Sequence, residues 1–238
     1  MEPHRDEPRD ALNTVLLDID GTLLDSNEAH AQAWVEVLQR HGRPTPYERI
    51  RPLIGMGGDK VLAELFGIVP DDPLAQRIST DRRRLFLEHS LPALRPTRGA
   101  RALLERLKAE GLARVVATSS SGEELGALLR QADVDDLVER SATASDAEHT
   151  KPDPDIVQAA LAKARVAPAA AIMIGDTPYD IEAAAAAGVA TIALRCGGFW
   201  DDAALRAAAA IYDDPQALLD DWDRSPLGRR SAPATTRG

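Results

Sequence analysis

The chain has 238 residues, with 28 Lys plus Arg against 38 Asp plus Glu and a formal charge of −10. It can bury a substantial core as one large domain or two smaller ones, and its acidity argues against nucleic-acid binding through the phosphate backbone but not against a local cationic site for a small phosphorylated metabolite. Cys196 is the single cysteine, which excludes an internal disulfide and a zinc site of several thiolates.

Residues 1–11 are polar, charged and proline-rich, and are expected to be disordered. They are not followed by the apolar stretch of a signal peptide, and no apolar run approaches the roughly 18 residues that span a bilayer, so a cytoplasmic protein without a membrane partner is expected. TVLLD at 14–18 is the first short apolar run. From Asp25 to Pro92 the pattern is helical only: AHAQAWVEVLQRHG, the glycine-rich turn IGMGGDK, VLAELFG, and DPLAQRISTDRRRLFLEHS. RALLERLKAEG then stops at Gly111 and leads to the run ARVVATS at 113–119. Ser121-Gly-Glu-Glu124 has the form of a capping box opening LGALLRQA. In KPDPDIVQAALAKA, Asp153 is expected to cap a helix with Pro154 at its first position. AIMIGD at 171–176 precedes Thr177 and Pro178, which repeat that arrangement before an alanine-rich helix ending at Gly188. ATIAL at 190–194 and a weak AIY at 210–212 complete the runs, and from 224 onward periodicity is lost and disorder is expected.

Short runs that are apolar throughout and separated by helices read as strands of a parallel sheet covered on both faces. The expected class is α/β with a doubly wound parallel sheet. Its core would be discontinuous, 12–24 with 93–223, interrupted by a small helical domain at 25–92 and flanked by tails at 1–11 and 224–238. The helix starts mark the carboxyl edge of the sheet, where open α/β folds bind ligands.

Candidate residues gather on that edge. Asp18 and Asp20 are two apart, so in a strand they point the same way, about 6–7 Å apart. They repel unless a cation or a proton intervenes; alternatively, one ends a strand and the other starts the turn at Gly21. Thr118 and Ser119 offer hydroxyls and helix N-terminal amides to an anion, or serve as capping residues. Lys151 precedes a helix start, an unfavourable place for a cation unless something negative faces it or solvent takes it. Asp176 ends the most apolar strand, and Asp180 fits either an acidic site or the return position of the Thr177 cap. Three carboxylates, a lysine and a hydroxyl-plus-amide cradle are the parts of phosphoryl transfer through a carboxylate nucleophile with magnesium. Magnesium suits Asp18 and Asp176, and the five histidines show no metal-ligand spacing.

With these residues in place the chain resembles the haloacid dehalogenase superfamily, in its phosphoglycolate phosphatase and β-phosphoglucomutase branch. The four motifs occur in order: DxDGT as Asp18 to Thr22, Thr118 after the second strand, Lys151 in KPDP, and GDxxxD as Gly175 to Asp180. The helical insertion after the first motif is where that family places its small cap domain. The resemblance implies Asp18 as nucleophile and Asp20 as general acid and base, with the Asp20 backbone carbonyl joining Asp18 and Asp176 on Mg2+. It implies Thr118, the Ser119 amide and Lys151 around the phosphoryl group, and Asp180 steadying the metal site from its edge.

The implied activity is a Mg2+-dependent phosphatase that hydrolyses a small phosphate monoester through an aspartyl-phosphate. The alternative is a phosphomutase of the β-phosphoglucomutase type, in which the cap shields that intermediate from water. Asp20 together with GDTPYD counts against haloalkanoate dehalogenation. A phosphonatase would replace the second aspartate and add a cap lysine; Lys60 lies in the cap, but its spacing from Gly55 does not match. A phosphoacceptor module resembling a response-regulator receiver needs half the length and carries its acceptor on a middle strand. Cap residues expected to meet the leaving group are His30, Gly57 and Lys60, with the turn from Gly55 and Arg51 beside them. Gly197-Gly198 is read either as a close approach to substrate or as a link, and Arg82, Arg83 and Arg84 as a solvated helix face. A monomer is compatible with this reading.

Overall fold

The computed structural model describes residues 12–229. These residues form a six-stranded parallel sheet in the order β3-β2-β1-β4-β5-β6: β1 Thr14–Leu17, β2 Ala113–Ala117, β3 Arg140–Ala142, β4 Ala171–Gly175, β5 Ala190–Leu194 and β6 Ala210–Tyr212. The helices, in chain order, are α1 Asn27–Arg40, α2 Tyr47–Ile50, α3 Gly58–Phe66, α4 Pro73–Leu85, α5 Ala100–Ala109, α6 Gly122–Gln131, α7 Asp155–Ala164, α8 Pro178–Ala186, α9 Asp202–Leu205 and α10 Pro215–Asp220. No helix among the described residues is long and apolar enough to cross a membrane.

Strand residues alternate between two buried clusters, as a doubly covered sheet requires. Val15, Leu17, Val116, Ile172 and Ile174 pack with Leu103, Leu104, Leu107 and Leu128 of α5 and α6 on one face. Leu16, Val115 and Met173 pack with Ile156, Val157, Ala160 and Ala183 of α7 and α8 on the other. Trp34, Val37, Leu38, Ile50, Val61, Leu62 and Ile78 build a separate apolar cluster inside the helical insertion. The insertion is not sealed off, because Leu85, Phe86 and Leu91 at its end belong to the sheet's cluster.

The structure adds one strand and corrects two expectations. The short edge strand β3 was not anticipated, because RSA offers no apolar run and only Ala142 is buried. α7 begins at Asp155 with Pro154 before it and no side-chain cap; Asp153 instead pairs with Lys60 across the molecule. The tail expected from 224 does not hold for 224–229, where Leu227 is fully buried in the sheet's cluster and the Ser225 hydroxyl donates to the Trp222 carbonyl. Residues 1–11 and 230–238 lie outside the described residues.

Candidate active site

Register brings the acidic motifs together. Leu17 pairs with both Val116 and Ile174, so β1, β2 and β4 end within one residue of each other and the residues that follow share one edge. Asp18, still tied by its amide to the Ile174 carbonyl at 2.9 Å, leaves the sheet beside Thr118 and Asp176. Lys151, only 1% exposed, arrives from the turn before α7 and donates to Asp18 Oδ1 at 2.6 Å and Asp180 Oδ1 at 2.7 Å. The cation that looked misplaced in sequence has two buried carboxylates facing it.

Asp180 fulfils both readings offered for it. Its Oδ2 closes a capping box with Thr177 and accepts from the Asp176 amide, while its Oδ1 takes the Lys151 ammonium. Asp176 accepts from the Thr22 hydroxyl on Oδ1 at 3.0 Å and from Asn27 Nδ2 on Oδ2 at 2.7 Å. One carboxylate oxygen from each of Asp18, Asp176 and Asp180 lies within 4.8 Å of the others. Burial pushes the Asp18 carboxyl up to about 7, with Lys151 pulling it down and Asp180 and Asp20 raising it further. Burial likewise holds Asp176 well above the ordinary carboxylate range, with Asp180 and Asp18 adding to it. Three buried carboxylates against one ammonium leave an excess of negative charge, which a divalent cation with oxygen ligands would offset. Asp180 gives Oδ2 to three protein donors and Oδ1 to Lys151, whereas Asp18 carries a protein donor on Oδ1 alone and Asp176 one donor on each oxygen, so Asp18 and Asp176 keep the most acceptor capacity for such an ion.

The Asp20 side chain turns away from this cluster. It accepts from the Ser26 and Ser120 hydroxyls at 2.6 and 2.8 Å and meets His30 Nε2 at 2.8 Å. Burial raises its pKa, but the charge and hydrogen bond of His30 and the two hydroxyls outweigh that and hold it below the usual carboxylate range. The two aspartates of the first motif are thus separated by partner: one faces a lysine, the other a histidine and hydroxyls.

Above them lies a chamber of about 40 Å³, lined by Asp18, Asp20, Thr118, Ser119, His30 and Arg82 among others. It shares Trp34, Gly58, Arg82 and Ser119 with an outer cavity of about 260 Å³ between the insertion and the sheet edge. Thr118 is 1% exposed and its hydroxyl accepts from the Ser120 amide, whereas the Ser119 hydroxyl is buried with no partner among the described residues.

The insertion's candidates sit differently from expectation. His30 lines the inner chamber, with its ring stacked on Phe86 at 3.9 Å and its Nε2 already engaged with the Asp20 carboxylate. Lys60 is drawn to Asp153 at the core rather than into either cavity. A Cβ on Gly57 would collide with Thr150 and one on Gly55 with Thr177, so this part of the glycine-rich turn lies directly against the core. Arg51 is buried, donates to the Gly197 carbonyl and lies over the Phe199 ring. The arginine cluster is not a uniform solvated face: Arg84 is exposed, but Arg82 is half-enclosed by Trp34 and Phe86 and pairs with buried Glu124 at 2.9 Å.

Sequence reasoning missed Asn27, Ser26, Ser120, Thr22 and Glu124. A readable signal existed for Asn27: with His30, Trp34 and Val37 it falls on the buried stripe of α1, where a polar residue calls for a partner.

A family model described as haloacid dehalogenase-like hydrolase matches residues 12–188. The chain belongs to that family and is an enzyme of the hydrolase class. It is 30% identical over 220 residues to an N-acetylmuramic acid 6-phosphate phosphatase of Pseudomonas aeruginosa, covering 90% of this chain and 96% of that one. It is 28% identical over 185 residues to the pyrophosphatase PpaX of Bacillus thuringiensis, covering 77% and 83% respectively. A crystal structure of a hydrolase from Pseudomonas syringae aligns with a TM-score of 0.82 at 31% identity, covering 89% of this chain and 98% of that one.

Proposed function

We propose that this enzyme is a phosphatase that hydrolyses a small phosphate monoester through an aspartyl-phosphate on Asp18, with Mg2+ at the carboxylate cluster. The observation that carries the reading is the Asp18–Lys151–Asp180 arrangement beside Asp176, with Asp18 also lining a chamber that holds Thr118 and Ser119.

Asp18 and Asp176, with the Asp20 carbonyl, would hold Mg2+, and Asp180 steadies the site from outside. When bound, the ion neutralises phosphoryl charge and relieves the repulsion between the nucleophile and the phosphate. Lys151 favours the ionised form of Asp18 and orients it, and with Thr118 and the Ser119 amide it receives the oxygens of the transferring group. An Asp18 oxygen attacks phosphorus, forming an O–P bond as the bond to the leaving oxygen breaks. Asp20, held ionised in the resting site, takes up a proton as the substrate binds and gives it to the leaving oxygen. It then removes a proton from the water that attacks the aspartyl-phosphate, releasing inorganic phosphate and restoring Asp18. His30, Ser26 and Ser120 position the Asp20 carboxyl for both transfers.

The helices at 25–92 act as the cap, and the outer cavity receives the leaving group. Its size, together with the likeness to a sugar-acid phosphate phosphatase, puts phosphorylated sugars first among substrates. The test is phosphate release from a panel of sugar phosphates, phosphoglycolate, pyrophosphate and nucleoside monophosphates, with and without Mg2+, using Asp18→Asn as control. Metal-dependent release that prefers one ester and disappears in the control is expected. Aspartyl-phosphate that forms without net phosphate release, together with isomerised sugar phosphate, would overturn it in favour of a phosphomutase.

A further inference from the structure

We infer that Asn27 is a positioning residue for the cation site, tying the first helix of the insertion to the metal carboxylate Asp176. The inference rests on the Mg2+ reading above. Asn27 is 3% exposed; its Nδ2 donates to Asp176 Oδ2 at 2.7 Å and to the Gly197 carbonyl at 3.2 Å. An asparagine at the start of a helix commonly turns its side chain to nearby backbone. Here it reaches partners 149 and 170 residues further along the chain.

The surroundings are shaped around this contact. A Cβ on Gly21 would collide with Asn27 Nδ2 and with the Asp176 carboxylate, and one on Gly197 would collide with Asp176. Gly197 is therefore a close approach, but to the metal carboxylate. Arg51, a second buried residue of the insertion, donates to the same Gly197 carbonyl. Thr22 fixes one oxygen of Asp176 and Asn27 the other, so the carboxylate is braced from both sides and each oxygen keeps a lone pair for an ion.

An independent observation points to the ion itself. Asn27 Oδ1 is buried and has no hydrogen-bond partner among the described residues. A buried acceptor left unpaired is costly, and the hydration shell of a cation brings donors of the kind it lacks. Partners behind a metal ligand typically change metal affinity by about 10–100-fold when removed.

The experiment is a titration of the full-length enzyme, without substrate, with Mn2+ as the probe, read by water-proton relaxation for wild type, Asn27→Ala and the near-isosteric Asn27→Leu. Melting curves of the metal-free proteins identify any variant that fails to fold. The expected result is Mn2+ binding by wild type and an approximately tenfold or greater loss of affinity in whichever variant folds. Wild-type affinity in a folded variant, even one with a lowered melting temperature, would reduce Asn27 to a structural role and overturn the inference alone. Absence of Mn2+ binding by wild type would overturn the metal reading and the inference with it. Failure of both variants to fold would likewise overturn it, since the residue would then be holding the fold.

Discussion

The sheet edge and the helical insertion present functional side chains in opposite ways. At the edge, Asp18, Thr118 and Asp176 follow strands that end within one residue of each other, so backbone register alone brings residues distant in sequence into one cluster. In the insertion, the helices pack around their own apolar cluster and meet the core through side-chain tips: His30 on Asp20, Arg82 on Glu124, Lys60 on Asp153 and Arg51 on Gly197. The difference teaches that a motif on a strand end carries its geometry with it, whereas a residue on an inserted helix acquires its role only from the docking of the whole unit.

Substitutions can break or sharpen this contrast. The largest effect is expected at the edge, where Asp18→Asn should lower turnover by about 10⁴-fold or more while the circular dichroism spectrum stays native; retained activity would move the nucleophile elsewhere. Asp20→Asn should cost about 10²–10⁴-fold on esters with poor leaving groups and much less on activated ones, and equal losses on both would remove its acid role. Lys151→Met strips two buried carboxylates of their cation, so urea denaturation should show a loss of about 3–5 kcal/mol. A loss below about 1 kcal/mol would mean that the ion pair adds nothing to the fold.

Across the boundary with the insertion, effects should shrink and depend on pH. Burial raises the Glu124 pKa, but Arg82, His30 and the Ser121 bonds hold it below its ordinary 4.5. A depressed carboxylate contributes stability that is present above about pH 4.5 and lost as the pH falls through the lower folded value. Glu124→Gln should therefore cost about 2 kcal/mol at pH 7, with the gap to wild type closing below pH 4.5. A gap that does not vary with pH would refute an ionic role. The smallest effect is expected for Lys60→Met, since both partners are partly exposed: under about 1 kcal/mol in denaturation and little change in kcat/KM.

The same contrast explains what could be read beforehand. Apolar runs announced β1, β2, β4 and β5, and Thr177-Pro178 announced the start of α8, because burial and capping leave local patterns. β3 left none, since its pairing to β2 is supplied by the neighbouring strand rather than by its own composition. Asp18, Thr118, Lys151, Asp176 and Asp180 were legible as an edge cluster and the structure brings them together. Asn27 and Glu124 were not, because their partners lie on other units, and nothing in the sequence signals the Asp153 partner that Lys60 takes.

Asp180 serves as both helix cap and lysine anchor, and this dual use limits how the enzyme can be altered. The two oxygens of one carboxylate divide the work, Oδ2 toward the backbone of α8 and Oδ1 toward Lys151. If the proposed mechanism holds, heat tolerance and turnover share a residue, and a laboratory selection for either would be constrained by the other at this position. Improvements in robustness should accumulate instead on the outer faces of the helices, away from the strand ends.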